Sequence, residues 1–208
     1  QDDWGSAVDL DKVEAALKAN PDVKLLAFVH AETSTGARSD AKELCALAAK
    51  YDCLTIVDAV TSLGGSELKV DEWGIDAIYS GTQKCLSCAP GISPVSFSAK
   101  AVEIIKNRDT KAQSWFLDKN LVMGYWGDGQ SSAPRSYHHT APVNALYGLH
   151  EALVMLQEEG LENAWQRHSY NHQALKAGLE VMGINFVVDE THRLPQLNAV
   201  TIPEGVVD

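Results

Sequence analysis

The stretch Tyr79 to Gly91, YSGTQKCLSCAPG, sets one lysine, Lys84, beside a Cys85-x-x-Cys88 pair and a Pro90-Gly91 turn. Two chemistries compete for it. A CxxC pair can cycle between dithiol and disulfide, or supply half of a zinc site. A lysine carried from an apolar strand into a loop can attack a carbonyl carbon as an amine nucleophile. Zinc takes four ligands, and the other two cysteines, Cys45 and Cys53, stand at no matching spacing. A redox pair opens a helix, whereas this one precedes Ala89-Pro90-Gly91, a turn sequence. The balance favours the lysine, with an ordinary surface lysine as the plain alternative.

Asp58 gives that lysine a partner. It stands near the end of the apolar run Cys53 to Ala59, CLTIVDA. A carboxylate there is costly to bury unless donors or a cation satisfy it. It can cap the following turn, or it can hold a cationic ligand atom. An Asp and a Lys at neighbouring strand ends match the needs of pyridoxal 5'-phosphate: the lysine forms the Schiff base and the Asp keeps the pyridine nitrogen protonated. A third polar strand end, His30 to Gly36 (HAETSTG), reads on its own as a hydroxyl-rich turn leading to a helix cap at Ser39. No G-x-S-x-G nucleophile elbow exists. His168 and His172 are spaced i, i+4 without a Glu between them, inside an apolar stripe, and read as packed histidines rather than metal ligands.

The elements that must position these residues follow from periodicity. Val8 to Ala19 and Ser39 to Tyr51 have helical spacing, the second with Ser39 or Asp40 as N-cap and Glu43 in reach of a capping box. Lys24 to His30, Cys53 to Ala59, Ile75 to Ser80 and Ser93 to Ser98 read as strands. Buried strands alternating with amphipathic helices predict an α/β fold with a mostly parallel mixed sheet flanked by helices. In such sheets ligands gather beyond the carboxyl ends of the strands. A long helix over Val143 to Glu158 carries a Leu146, Leu149, Leu153, Leu156 stripe. Gly160 breaks it, and a second helix runs from Leu161 to about Met182, followed by strand-like runs at Asn185 to Val188 and Leu197 to Ile202. The expected division is a cofactor-binding domain over 1–159 and the start of a smaller C-terminal α/β domain over 160–208.

Composition narrows the partners. The 208 residues hold 17 Lys+Arg against 28 Asp+Glu, a formal net charge of −11. With no basic run, nucleic acid is not an expected partner. No apolar run approaches the roughly 18 residues of a membrane span. Four cysteines and no leader-like N-terminal segment suggest free thiols in a reducing compartment.

The segments HAETSTG (30–36), VDAVTSLGG (57–65), WGIDAIYSGTQKCLSCAPG (73–91) and YHHTAPV (137–143) resemble, in this order, the alanine–glyoxylate/serine–pyruvate aminotransferases of class V, within the fold-type I pyridoxal phosphate enzymes. The resemblance is collinear from about Val8 to the end. It implies that Lys84 is the Schiff-base lysine and that Asp58 pairs with the pyridine nitrogen. Val60 would pack on the ring, Thr33 would bond near the ring hydroxyl, and Gln83 would contact the phosphate. Tyr137 and Thr140 would reach the phosphate of a neighbouring subunit, making a homodimer with shared active sites. The implied substrates are a small amino acid and a 2-oxo acid, in the cytoplasm or peroxisome. Ureidoglycine–glyoxylate and 3-hydroxykynurenine aminotransferases are the near alternatives. Cysteine desulfurases usually carry a His where Gln83 stands. A non-catalytic fragment without cofactor is the non-enzymatic one. In the family a glycine-rich phosphate turn and a ring-covering aromatic come before the position that matches Gln1, and a substrate-binding arginine comes after the one that matches Asp208. The chain is expected to be part of a longer enzyme.

Overall fold

The structure is a computed structural model that describes residues 2–126 and 136–206. Four strands, β1 (Leu25–Val29), β2 (Leu54–Asp58), β3 (Ala77–Tyr79) and β4 (Val95–Phe97), form one sheet in the order β1-β2-β3-β4. The first three are parallel and β4 is antiparallel to β3. This is the mixed, mostly parallel α/β sheet the alternation predicts.

Helix α1 (Leu10–Ala19) starts at Asp9, whose Oδ1 accepts the backbone N–H groups of Asp11 and Lys12 at 2.9 and 3.2 Å. The cap satisfies donors that the first helical turn leaves open. Helix α2 (Ala41–Lys50) is capped by Asp40, which accepts from Glu43 N at 3.1 Å. Ser39 instead accepts from Val8 N at 3.3 Å, tying the N-terminal segment to this corner. Ala41, Leu44, Cys45 and Ala48 make the buried face of α2. Strand side chains alternate between faces. Val57 and Ile78 stand in one register row and join Cys45, Ala59 and Ile75 in the main core cluster. The next row, Val29, Asp58 and Tyr79, therefore projects from the opposite face.

Asp76 locks the entry edge of the sheet. Its Oδ2 accepts Thr55 N at 3.1 Å, its Oδ1 accepts the Ser98 hydroxyl at 2.9 Å, and its own N–H donates to Thr55 Oγ1 at 2.9 Å. Ser98 also caps α3 (Ala99–Asn107), accepting from Ala101 N at 3.1 Å. Neither α3 nor α4 (Lys119–Trp126) was expected from the sequence.

Helix α5 (Val143–Glu159) packs on α6 (Leu161–Val181), with Gly160 at φ +85° as the hinge between them. The leucine stripe is out of phase with the observed contact. The half-buried positions of α5 include Ala145, Leu149, Ala152 and Leu156, while Leu146 and Leu153 face outward. On α6 the residue buried completely is Ala164. The two C-terminal strand-like runs meet only at an isolated antiparallel bridge, Phe186 with Val200, among the described residues.

His30 closes β1. It is 2 % exposed, its N–H donates to Asp58 O at 2.9 Å, and its Nδ1 shares a 2.9 Å hydrogen bond with Ser62 Oγ. Burial, with Arg38 adding repulsion, pulls its pKa down from 6.5 to about 4. The unfolded chain therefore binds this proton more readily than the folded one. Stability from His30 is complete above pH 6.5 and is lost as pH falls through 6.5 toward 4.

Two outcomes follow for stability. Asp76→Ala should cost about 2 kcal/mol in urea unfolding, because it orphans a part-buried N–H and a hydroxyl. Between pH 6.5 and 4 the wild type should lose roughly 3 kcal/mol more stability than His30→Gln, measured by unfolding titrations at both ends of the window.

Candidate functional site

Parallel strands deliver their carboxyl ends to one rim, and three loops meet there. The loop after β1 carries Thr33, the loop after β2 carries Thr61, and the loop after β3 carries Lys84 and Cys85. Thr33 Oγ1 and Thr61 Oγ1 share a hydrogen bond at 3.1 Å, and Cys85 Sγ donates to Thr61 O at 3.5 Å. Ser80 Oγ donates to Ala59 O at 3.0 Å and Ala59 N to Tyr79 O at 2.9 Å. Gln196 also reaches in, donating from Nε2 to Thr61 O at 3.1 Å. Thr61 is thus the common tie of the three loops. The sequence marks it only as one more threonine in a turn.

Asp58 is the charged centre of the rim. Its Oδ1 accepts the N–H of Val60 at 2.9 Å, closing an Asx turn, and its Oδ2 accepts the Tyr79 hydroxyl at 2.7 Å. The turn fixes the backbone at Val60, which is half-buried. Donation to Asp58, helped by partial burial, raises the Tyr79 phenol above its ordinary pKa of 10.0. Tyr79 was not anticipated as a site residue, because its role depends on its register with Asp58.

The lysine turn is held from within. Thr82 is buried completely and its hydroxyl donates to Ala89 O at 2.6 Å. Cys88 N donates to Thr82 O at 3.0 Å and Ser87 N to Lys84 O at 2.9 Å. Ser87 adopts a left-handed φ of +54° to close the turn. Lys84 and Gln83 are exposed. Among the described residues, no carboxylate lies within ion-pair distance of Lys84. The Gln83 side chain folds over Gly81, where a Cβ would stand 2.7 Å from Oε1. Cys85 packs so tightly on Gly65 that a Cβ there would overlap its sulfur. Burial pushes the Cys85 thiol up, which disfavours the reactive thiolate.

Tyr137 and Thr140 pair with each other, hydroxyl to hydroxyl at 2.9 Å. Tyr137 is 72 % exposed, and among the described residues no hydrogen bond links the pair to the three rim loops. The neighbouring His138 is buried and stacks on Trp115 at 4.1 Å. Its Nε2 donates to Trp115 O at 3.0 Å, and its Nδ1 meets His139 Nδ1 at 2.8 Å. A ring nitrogen that faces a carbonyl must carry the proton. In a neutral His138 the Nδ1 is then the acceptor, and His139 donates from its own Nδ1.

The donor set suits a pyridinium ring with a phosphate tail. Each Asp58 oxygen takes one donor and keeps a second lone pair, enough to accept a ring N–H. Lys84 offers an amine with no acidic partner among the described residues. Thr33, Gln83, Tyr137 and Thr140 offer the hydroxyl and amide donors that ring and phosphate oxygens take.

Comparison with known proteins bears this out at the level of family. Residues 2–206 match the family described as Aminotransferase class-V. The alanine–glyoxylate aminotransferase of Callithrix jacchus is 42% identical over 205 residues, spanning 98% of this chain and 49% of that protein. The (S)-ureidoglycine–glyoxylate transaminase of Bacillus subtilis is 35% identical, over 98% of this chain and 52% of that protein. The crystal structure of the alanine–glyoxylate aminotransferase from Nostoc sp. superposes with a TM-score of 0.92 at 44% identity, over 99% of this chain and 53% of that one. The chain spans about half the length of the curated relatives it matches. This family match over nearly every residue places the chain in the class V aminotransferases.

Proposed function

We propose that the protein is a pyridoxal-phosphate-dependent aminotransferase that moves an amino group from a small amino acid, alanine or serine, to glyoxylate or pyruvate. The observation that carries the reading is the rim: Asp58 and the Lys84 turn stand at adjacent strand ends, tied through Thr61. The names of the Callithrix and Nostoc relatives, at 42% and 44% identity, support the alanine–glyoxylate pair over the ureidoglycine one, at 35%.

When bound, pyridoxal phosphate supplies an electron sink for charge developing at the α-carbon of the amino acid. The chain's own residues do the rest. Asp58 holds a proton at the ring nitrogen, so that the ring can accept that charge. The Lys84 Nζ would hold the cofactor's carbonyl carbon until the nitrogen of the amino acid takes its place, and the amine so freed would carry the α-proton. Thr33 would bind beside the ring hydroxyl, Val60 would lie against the ring and Gln83 would donate to the phosphate. Tyr137 and Thr140, paired and turned outward, serve the phosphate of a neighbouring subunit, so the active unit is a homodimer with shared sites. Residues 1–159 form the cofactor domain and 160–208 begin a second one. The free cysteines suit a reducing compartment, cytoplasm or peroxisome.

Borohydride treatment of the full-length holoprotein should fix the cofactor covalently on the peptide containing Lys84, as read by mass spectrometry. A label on another lysine, or none, overturns the assignment. Asp58→Asn should keep that label yet slow exchange of the alanine α-proton by several orders of magnitude, because a neutral amide does not hold the ring nitrogen protonated. Near-normal exchange overturns the pairing.

A further inference from the structure

We propose that Tyr79 is a positioning residue that holds the Asp58 carboxylate in the orientation that would meet the cofactor's ring nitrogen. The inference rests on the function proposed above and assigns a role to a residue outside the catalytic pair. Three observations lead to it. Tyr79 and Asp58 are register partners at the last row of β3 and β2, so both project from the same face of the sheet. The phenol hydroxyl reaches Asp58 Oδ2 at 2.7 Å. Tyr79 is 41 % exposed, so its hydroxyl could have been satisfied by water, and burial alone does not require the bond.

The consequence follows from geometry. An ionised carboxylate has no hydrogen to give, so the phenol must be the donor. The raised phenol pKa agrees, because the O–H is retained while it serves the anion. The Val60 N–H fixes Oδ1, and no cation pairs with Asp58 among the described residues. Two donors, one of them fixed by backbone and the other by a replaceable side chain, therefore set the rotation of the carboxylate, and an anion aligned on a pyridinium N–H favours the protonated ring more than a misaligned one does. The titratable groups on the surrounding elements are His30 at the end of β1, Asp58 on β2 and Lys84 beyond β3; β4 presents Val95 opposite Tyr79. His30 stays neutral above about pH 4 and so adds no charge near neutral pH.

The test reads the ring nitrogen itself. The full-length protein is loaded with cofactor labelled with nitrogen-15 in the ring, and its resonance is followed against pH in wild type, Tyr79→Phe and Asp58→Asn. Wild type should hold the ring proton near neutral pH. In Tyr79→Phe the midpoint for losing it should fall by about one pH unit, a roughly ten-fold loss of proton affinity. Borohydride labelling of Lys84 should survive. Replacing Tyr79 by 3-fluorotyrosine, which keeps the hydroxyl and the shape, should leave the midpoint near its wild-type value. An unchanged midpoint in Tyr79→Phe, while Asp58→Asn loses the ring proton, overturns the role of Tyr79 and leaves the proposed function standing. Where Tyr79→Phe fails to fold, Tyr79→Leu is read in its place, and an unchanged midpoint there overturns the role equally. A wild type that takes no label at Lys84 overturns the underlying function instead.

Discussion

The parallel alignment of β1, β2 and β3 is the constraint on which the rim depends. Parallel strands in register send every carboxyl end to one side of the sheet, and side chains in one row share a face. The row Val29, Asp58, Tyr79 is the last before the loops begin. Slip β2 by one residue and Asp58 would turn into the apolar core that Val57 occupies. The core thus enforces the chemistry: burying Val57 on one face is what presents the carboxylate on the other.

Two aspartates at opposite ends of the sheet show what placement does to identical side chains. Asp76 precedes β3 and spends both oxygens on structure, binding Thr55 N and Ser98 Oγ. Asp58 follows β2 and takes its donors from its own turn and from Tyr79. Asp76 is closed off by the start of α3, whereas the loops beside Asp58 are tied at Thr61. A carboxylate satisfied by its own scaffold, yet still facing an open rim, is preorganised to receive a cationic ligand atom without rearranging.

The strands and the first two helices were legible because their periodicity and caps agree with the tertiary packing. Asp58 and Lys84 were legible because a carboxylate or an amine at the end of an apolar run is conspicuous. Thr61 and Tyr79 were not. Thr61 acts through a carbonyl and a hydroxyl that any threonine has, and Tyr79 acts through register. On α5 the leucine stripe included Leu146 and Leu153, which face outward, while the half-buried positions include Ala145, Leu149, Ala152 and Leu156, the last packed over Gly64. Helix α3 had a readable cap in Ser98, but its short length leaves little periodicity to detect. At the C-terminal end, alternation suggested two strands, and the hydrogen bonds that form, Val187 N to Ala199 O and Thr201 N to Asn185 O, amount to one bridge.

The outward pairing of Tyr137 with Thr140 gains meaning from its surroundings. The segment Trp115, Phe116 and Leu117 is largely exposed, as are Trp126, Val143 and Tyr147 on the flanking helices. Large apolar side chains left in water in this number are expensive, and on the proposed homodimer they would be covered. His138 is nevertheless anchored, stacked on Trp115 and bonded to its carbonyl, so the backbone that carries Tyr137 and Thr140 is fixed before any partner arrives. A rigid base, two hydroxyls facing outward and an apolar margin together suit donation across a subunit interface. The apolar margin would supply the association energy and the hydroxyls the hydrogen bonds. In the proposed homodimer each rim would take this segment from the neighbouring chain and lend its own in return, and cofactor retention would then be coupled to assembly.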